Sequence, residues 1–270
     1  MGIRSGIVNA LLKSDRVVTD CSSQEEIAAT LRLLRPALTG LDFVRIGGFG
    51  DGGYLVPNDL AGIKYCFSPG VSEVADFEEQ LASDFGIYSF LADASVDAPP
   101  ADNSFFDFEK KFLGCRDQAE FMKLSTWMEK KIPAGDAGDL ILQMDIEGSE
   151  YDVFIDSSIE TLRRFRIMVV EFHGMDMMFH AKSLKFLKAI FEKLAGEFVV
   201  AHIHPNNCKT AVQRFGISVP PVMEVTFLRK DRVKPVRDGD VLLFPHELDR
   251  KNVPSKEDVI LPDIWWKQVP

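Results

Sequence analysis

From Ile63 to Arg229 apolar strands alternate with amphipathic helices, and this order constrains the fold more than any other feature. The runs Leu140-Ile141-Leu142-Gln143-Met144 and Ile167-Met168-Val169-Val170 are apolar almost without a break. Such runs suit strands covered on both faces of a sheet. The pattern predicts strands over 64–68, 87–92, 105–112, 140–145, 167–173, 198–204 and 223–229, and helices over 73–85, 125–130, 151–164 and 181–195. A βαβα order implies an α/β, doubly wound sheet with a ligand crevice at the carboxyl ends of its strands. Ahead of it, Ser22-Ser23-Gln24-Glu25-Glu26 reads as an N-cap for a helix that Pro36 ends. Residues 44–57 read as two short apolar pieces around a glycine-rich turn. No linker divides the chain. We expect an N-terminal helical cap over 1–40, a main domain over 41–232, and an extension over 233–270 packed on the same domain.

A length of 270 residues with 46% hydrophobic composition suffices for one large core. Lys plus Arg number 31 and Asp plus Glu 41, giving a net charge of −10 with no basic block. That balance lacks the electrostatic footprint of a nucleic-acid or anionic-membrane binder. No apolar run approaches the roughly 18 residues of a membrane span. The opening MGIRSGIVNALLKSDR has no cleavage-site pattern, and Gly6 stands where a myristoylation motif needs Ser or Thr. Cys21, Cys66, Cys115 and Cys208 are scattered without a CxxC pair, as expected of free thiols in a reducing, cytoplasmic setting. Homo-oligomerisation stays open.

Chemistry-bearing residues gather at strand ends. The turn Cys66-Phe67-Ser68-Pro69-Gly70-Val71-Ser72-Glu73 runs from a strand into a helix, where backbone N–H groups can meet a polar ligand. Asp93 ends the next strand, a place from which a carboxylate can accept ribose hydroxyls. A plain turn and an ordinary cap explain either feature alone; together they point to an adenosine-containing ligand. Three later strand ends carry Asp145-Ile146-Glu147, Glu171-Phe172-His173 and His202-Ile203-His204. Spacing i, i+2 in extended backbone puts both side chains on one face, so these groups can converge as a divalent-cation site or an acid–base pair. Mixed oxygen and nitrogen ligands suit Mg, Mn or Zn. There is no Gly-x-Ser-x-Gly elbow or Walker loop, and Cys115 and Cys208 lack activating neighbours. Phe105-Phe106 and Trp265-Trp266 read as packing, not as a base-stacking platform.

The segment Asp145-Ile146-Glu147-Gly148-Ser149-Glu150-Tyr151 resembles the signature of FkbM-like S-adenosylmethionine-dependent methyltransferases. The resemblance extends to Glu171-Phe172-His173, to His202-x-His204-x-Asn206-Asn207, and to Arg45-x-Gly47-Gly48-x-x-Asp51-Gly52-Gly53-Tyr54, covering about 44–230. It implies a Rossmann-like class I methyltransferase fold: a seven-stranded, mostly parallel sheet whose last strand, 223–229, is antiparallel. It also implies S-adenosylmethionine held by Ser68, Gly70, Val71, Ser72 and Asp93 with Asp51 and Gly52, although Ser-Pro-Gly-Val-Ser replaces the usual glycine-rich turn. Metal-dependent relatives place ligands where Asp145, Glu171 and His173 stand, so these are expected to hold Mg2+ or Mn2+. His204 would be a further ligand or the general base, and Glu147 a reserve base. The expected reaction is O-methylation of a sugar, glycan or natural-product hydroxyl. Rivals are a metal-independent methyltransferase using His173 or His204 as base, and a non-catalytic nucleotide- or sugar-binding protein of the same fold. An NAD-type oxidoreductase is disfavoured because no GxGxxG follows the first strand.

Overall fold

The computed structural model describes residues 3–14 and 18–267. Its elements begin with α1 (Ile3–Leu12), α2 (Gln24–Arg32), β1 (Phe43–Ile46), β2 (Tyr54–Pro57), β3 (Tyr65–Pro69), α3 (Asp76–Phe85), β4 (Tyr88–Ala92) and β5 (Phe106–Glu109). Then come β6 (Phe112–Gly114), β7 (Phe121–Lys123), α4 (Leu124–Lys131), β8 (Leu140–Met144), α5 (Glu150–Asp156), α6 (Ile159–Leu162) and β9 (Phe165–His173). Next follow α7 (Ala181–Glu197), β10 (Phe198–Pro205), β11 (Val212–Arg214), β12 (Ile217–Val219) and β13 (Val222–Arg229), and the described extension beyond β13 is irregular apart from short 3-10 turns. No helix among the described residues is long and apolar enough to cross a membrane. Of the expected cap and extension, residues 1, 2, 15–17 and 268–270 lie outside the described residues.

Seven strands form one sheet in the order β10-β13-β9-β8-β3-β4-β5. The expected mostly parallel sheet is instead mixed. The pairs joining β9, β8, β3, β4 and β5 are parallel, and β13, the strand expected to be antiparallel, runs antiparallel to both β9 and β10. The connection from β10 to its neighbour β13, residues 206–221, holds only the short β11–β12 pair and no crossover helix to bring the chain back parallel. Two further departures have local causes. The expected helix over 151–164 breaks at Ser157, which is extended, and Ser158 caps α6 by accepting a hydrogen bond from the Thr161 N–H at 3.1 Å. The expected strand over 105–112 divides at Lys110-Lys111 into β5 and β6, which join different sheets.

One face of the sheet buries Phe67, Leu140, Leu142, Met168 and Val170 against α2, α4, α5 and α7, with Trp127, Phe154 and Phe191 fully enclosed. The alternate positions Cys66, Ile141, Ile167 and Val169 pack against α3 and the β1–β2 hairpin. Helices therefore cover one face, and a helix plus a hairpin cover the other. The N-cap reading of Ser23 holds: its hydroxyl accepts from the Glu26 N–H and Glu26 returns to the Ser23 N–H, a capping box worth roughly 1 kcal/mol.

Candidate active site

Alternation along β9 and its neighbours lines up a polar row on the hairpin face, at the carboxyl end of the sheet. Asp145 follows β8 directly, and Glu171 and His173 end β9. Glu224 of β13 is in register with Glu171, and His204 of β10 is in register with Glu224. One ligand atom each from Asp145, Glu171 and His173 all lie within 4.8 Å of one another. His173 Nε2 faces Glu147 Oε2 at 3.4 Å, Glu171 Oε1 at 3.7 Å and Asp145 Oδ1 at 3.8 Å. On the ring's other side Nδ1 meets Glu150 Oε1 at 3.1 Å. Glu150 is itself fixed, accepting from the N–H groups of Ile146 and Gly148 at 3.1 Å each.

The electrostatics of this cluster are unbalanced. Burial pushes Asp145 up to about 7, against the pull of His173, with Glu147 and Glu150 adding repulsion. Burial also raises Glu171 well above the carboxylate range, and Asp145, Glu224 and Asp51 push it further. Burial opposes the charged form of His173, but Glu150, Asp145 and Glu147 raise its proton affinity overall. Asp145 Oδ1 and Glu171 Oε2 are buried with no hydrogen-bond partner. Orphaned carboxylate oxygens beside an imidazole nitrogen, with a second carboxylate fixing the opposite ring nitrogen, form a donor set that fits a hard divalent cation.

Two adjoining cavities of about 300 and 580 Å³ meet at Asp51, Gly70, Ser72 and Asp145. The smaller takes in Gly52, Tyr54, Val71, Asp76, Glu78 and Gln143; the larger takes in Asp93, Phe112, Leu113, Ile146 and Glu147. Gly70 makes their junction. At φ +88° a Cβ there would lie 1.5 Å from the Asp145 carbonyl oxygen, so only glycine lets the β3 turn approach the end of β8. Asp93 stands at the junction's other side and holds the turn: its Oδ2 accepts from the Ser72 N–H at 2.9 Å, and its Oδ1 accepts from the Ser95 N–H and hydroxyl at 2.7 and 2.6 Å. Ser68 lines neither cavity and is fully buried behind them. Its hydroxyl lies 2.5 Å from Glu78 Oε1 and 2.8 Å from Gln143 Oε1. The hydroxyl has one proton to give, so its donation is shared between these two oxygens. Burial pushes Glu78 up to about 7, partly offset by that hydrogen bond.

Residues 104–196 match the family model described as the methyltransferase FkbM domain. Over that span the chain is FkbM-like. The match runs from the start of β5 through most of α7 and contains Asp145, Glu147, Glu171 and His173; the Gly70 turn and Asp93 precede it. No curated protein matches the chain. Solved structures that match include precorrin-6y C5,15-methyltransferase from Geobacter metallireducens GS-15, at 13% identity over 77% of this chain and 90% of that one, with a TM-score of 0.32. A likeness that loose carries no argument.

His204 lies outside the FkbM-like segment and is not brought into the cleft. It lines a separate cavity of about 180 Å³ with Phe244, Asp249, Asp258 and Trp266. Its Nδ1 is 3.7 Å from Asp249 Oδ1, which already accepts from His202 Nε2 at 2.8 Å. Burial opposes charge on His204, yet Asp249 and Glu224 raise it to about 9. Burial holds His202 below its ordinary value. Sequence reasoning missed Glu224, Glu78 and Asn252. Burial pushes Glu224 up to about 7, while His204 and the Asn252 amide pull it down. A lone carboxylate within Val222-Met223-Glu224-Val225 was the available signal, because a buried charge must find a partner.

Proposed function

We propose that this chain is an S-adenosylmethionine-dependent O-methyltransferase acting on a hydroxyl of a sugar, glycan or natural product, with a divalent metal at Asp145, Glu171 and His173. The carrying observation is that a donor-sized cleft and the three-residue cluster share Asp145. We assign the adenosine half of the donor to the larger cavity, with Asp93 facing the ribose. The amino-acid half lies in the smaller cavity, where Glu78 can give up its proton to oppose the ammonium. Gly70, Ser72 and Asp51 stand where the two halves meet, and Val71 and Gly52 line the smaller cavity.

The bound donor supplies an electrophilic methyl on a sulfonium, which leaves as a neutral thioether once the C–O bond forms. Mg2+ or Mn2+ held by the three side chains would lower the proton affinity of an acceptor hydroxyl. The chain's own part is alignment and proton removal. Glu147 is exposed on its loop, lines the cleft and lies 3.4 Å from His173 Nε2, so it can take the acceptor proton into solvent. His204, behind Glu224, tunes the charge of the row. A metal-independent reaction with His173 as base is the second reading, favoured by the proton affinity that its carboxylate neighbours confer on the ring.

The division into cap, methyltransferase domain and extension belongs to the same reading, as does a cytoplasmic setting, which four free cysteines support. Transfer of labelled methyl from S-adenosylmethionine to a panel of sugar and phenolic hydroxyls, with Mn2+ and with EDTA, tests the proposal. Transfer lost in EDTA and restored by Mn2+ is expected. Full transfer in chelator moves the assignment to the metal-free reading, and transfer only to nitrogen or carbon acceptors overturns O-methylation.

A further inference from the structure

We infer that the C-terminal extension is a working part of the donor site, with Asn252 as a positioning residue for the glycine loop over 47–53; this rests on the donor-binding reading above. The loop joins β1 to β2 and carries Asp51, whose side chain lines both cavities. Arg45 holds the loop's backbone, its Nε donating to the Gly48 carbonyl and its Nη2 to the Gly50 carbonyl at 2.9 Å each. A Cβ on Gly53 would lie 2.0 Å from the Gly48 carbonyl oxygen, so the loop is closed tightly on itself. Those contacts leave the Asp51 carboxylate unfixed.

Asn252 fixes it. Its Nδ2 donates to Asp51 Oδ1 at 3.1 Å and to Glu224 Oε1 at 2.6 Å. An amide nitrogen has two protons, so each carboxylate receives one. A single neutral group thereby spaces two acids whose charges repel, and it does so from a residue 201 positions away from Asp51. The arrangement exists only with the extension docked. Docking is secured next door, where Asn207 accepts from the Val253 N–H at 2.8 Å and donates to the Val253 carbonyl at 3.0 Å. Asn252 is buried, and its Oδ1 has no partner, so packing of that oxygen is not what selects an amide here. The chemistry that does is two N–H donors facing two carboxylates.

A merely space-filling Asn252 predicts lower stability with unchanged donor affinity in the folded protein. Titration calorimetry of the full chain with S-adenosylhomocysteine separates the two, run on wild type, Asn252→Ala and Asn252→Ser beside thermal melts. Amide hydrogen exchange over 47–53 with and without ligand reads the loop directly. We expect Asn252→Ala to weaken binding about tenfold and to lose ligand-dependent protection of the loop, and Asn252→Ser, which keeps one donor, to recover part of both. Should Asn252→Ala not fold, the serine variant is read against wild type by the same criteria. Wild type failing to bind overturns the donor-binding reading itself. Wild type binding while the folded variants stay within twofold, with loop protection intact, overturns this inference alone.

Discussion

His173 Nε2 lies 3.7 Å from Glu171 Oε1, although only Phe172 separates the two residues. Extended backbone at the end of β9 points alternate side chains to one face, and Asp145 enters the same space from the end of the parallel strand beside it. Proximity there is bought with repulsion among buried acids, and a bound cation relieves it.

Metal binding should therefore stabilise the fold. A ligand that binds only the native state at a hundred times its Kd adds about 2.7 kcal/mol. Thermal melts with Mn2+ or Mg2+ are expected to rise by several degrees, with EDTA reversing the shift. Identical melts in Mn2+ and EDTA would contradict a metal at this cluster.

Glu171→Gln separates stability from function. The substitution keeps an oxygen for the Asn206 amide, which Glu171 Oε1 now accepts at 3.0 Å, while removing a buried acid whose ionisation burial and its acidic neighbours oppose. The metal-free variant should be more stable by roughly 1 kcal/mol and should lose most of its Mn2+ affinity. A destabilised variant with unchanged metal affinity would show that Glu171 is structural.

Stability should fall with rising pH in the metal-free protein. Folded Glu78, Asp145 and Glu224 are raised to about 7, whereas unfolded carboxylates ionise near pH ~4. Their contribution is complete below the unfolded value and lost as pH climbs through the folded one. His204, raised to about 9, acts in the same direction from roughly pH 6.5 upward. Melts from pH 5 to 9 should decline, and saturating Mn2+ should flatten the portion due to Asp145. A melting temperature that climbs across that range argues against these protonation states.

Gly70→Ala should be severe. The new methyl would overlap the Asp145 carbonyl, so the β3 turn and the end of β8 must separate. We expect a loss of at least ~3 kcal/mol in chemical denaturation and no measurable S-adenosylhomocysteine binding. A stable variant with normal affinity would mean that the turn does not wall the donor cleft.

The ends of β8 and β9 are readable from sequence because continuous apolar runs stop abruptly at Asp145 and Glu171, and a two-residue period needs no tertiary information. The Gly70 turn and Asp93 are readable in place but not in detail: nothing local says that Asp93 already accepts from Ser72 and Ser95, or that Ser68 turns inward to Glu78. Glu224 depends on the register of β13 against β9, and Asn252 on how the extension docks, neither of which leaves a local pattern. His204 misleads for the same reason. Its i, i+2 partner His202 looks like half of a metal pair, but Asp249 from the extension meets both rings and a full strand, β13, stands between them and β9. The two apolar pieces around the glycine-rich turn at 44–57 do form a hairpin, but its place on the sheet's second face follows from chain connections, which periodicity does not report.

Diffraction from crystals grown with S-adenosylhomocysteine and Mn2+, measured at the manganese edge, addresses the methyl-transfer site in one data set. An anomalous peak is expected about 2.1 Å from Asp145, Glu171 and His173, with the thioether sulfur in the cleft beside Asp145. Nucleoside density in the cleft with no manganese at these three side chains would contradict the metal, and nucleoside density elsewhere would contradict the site.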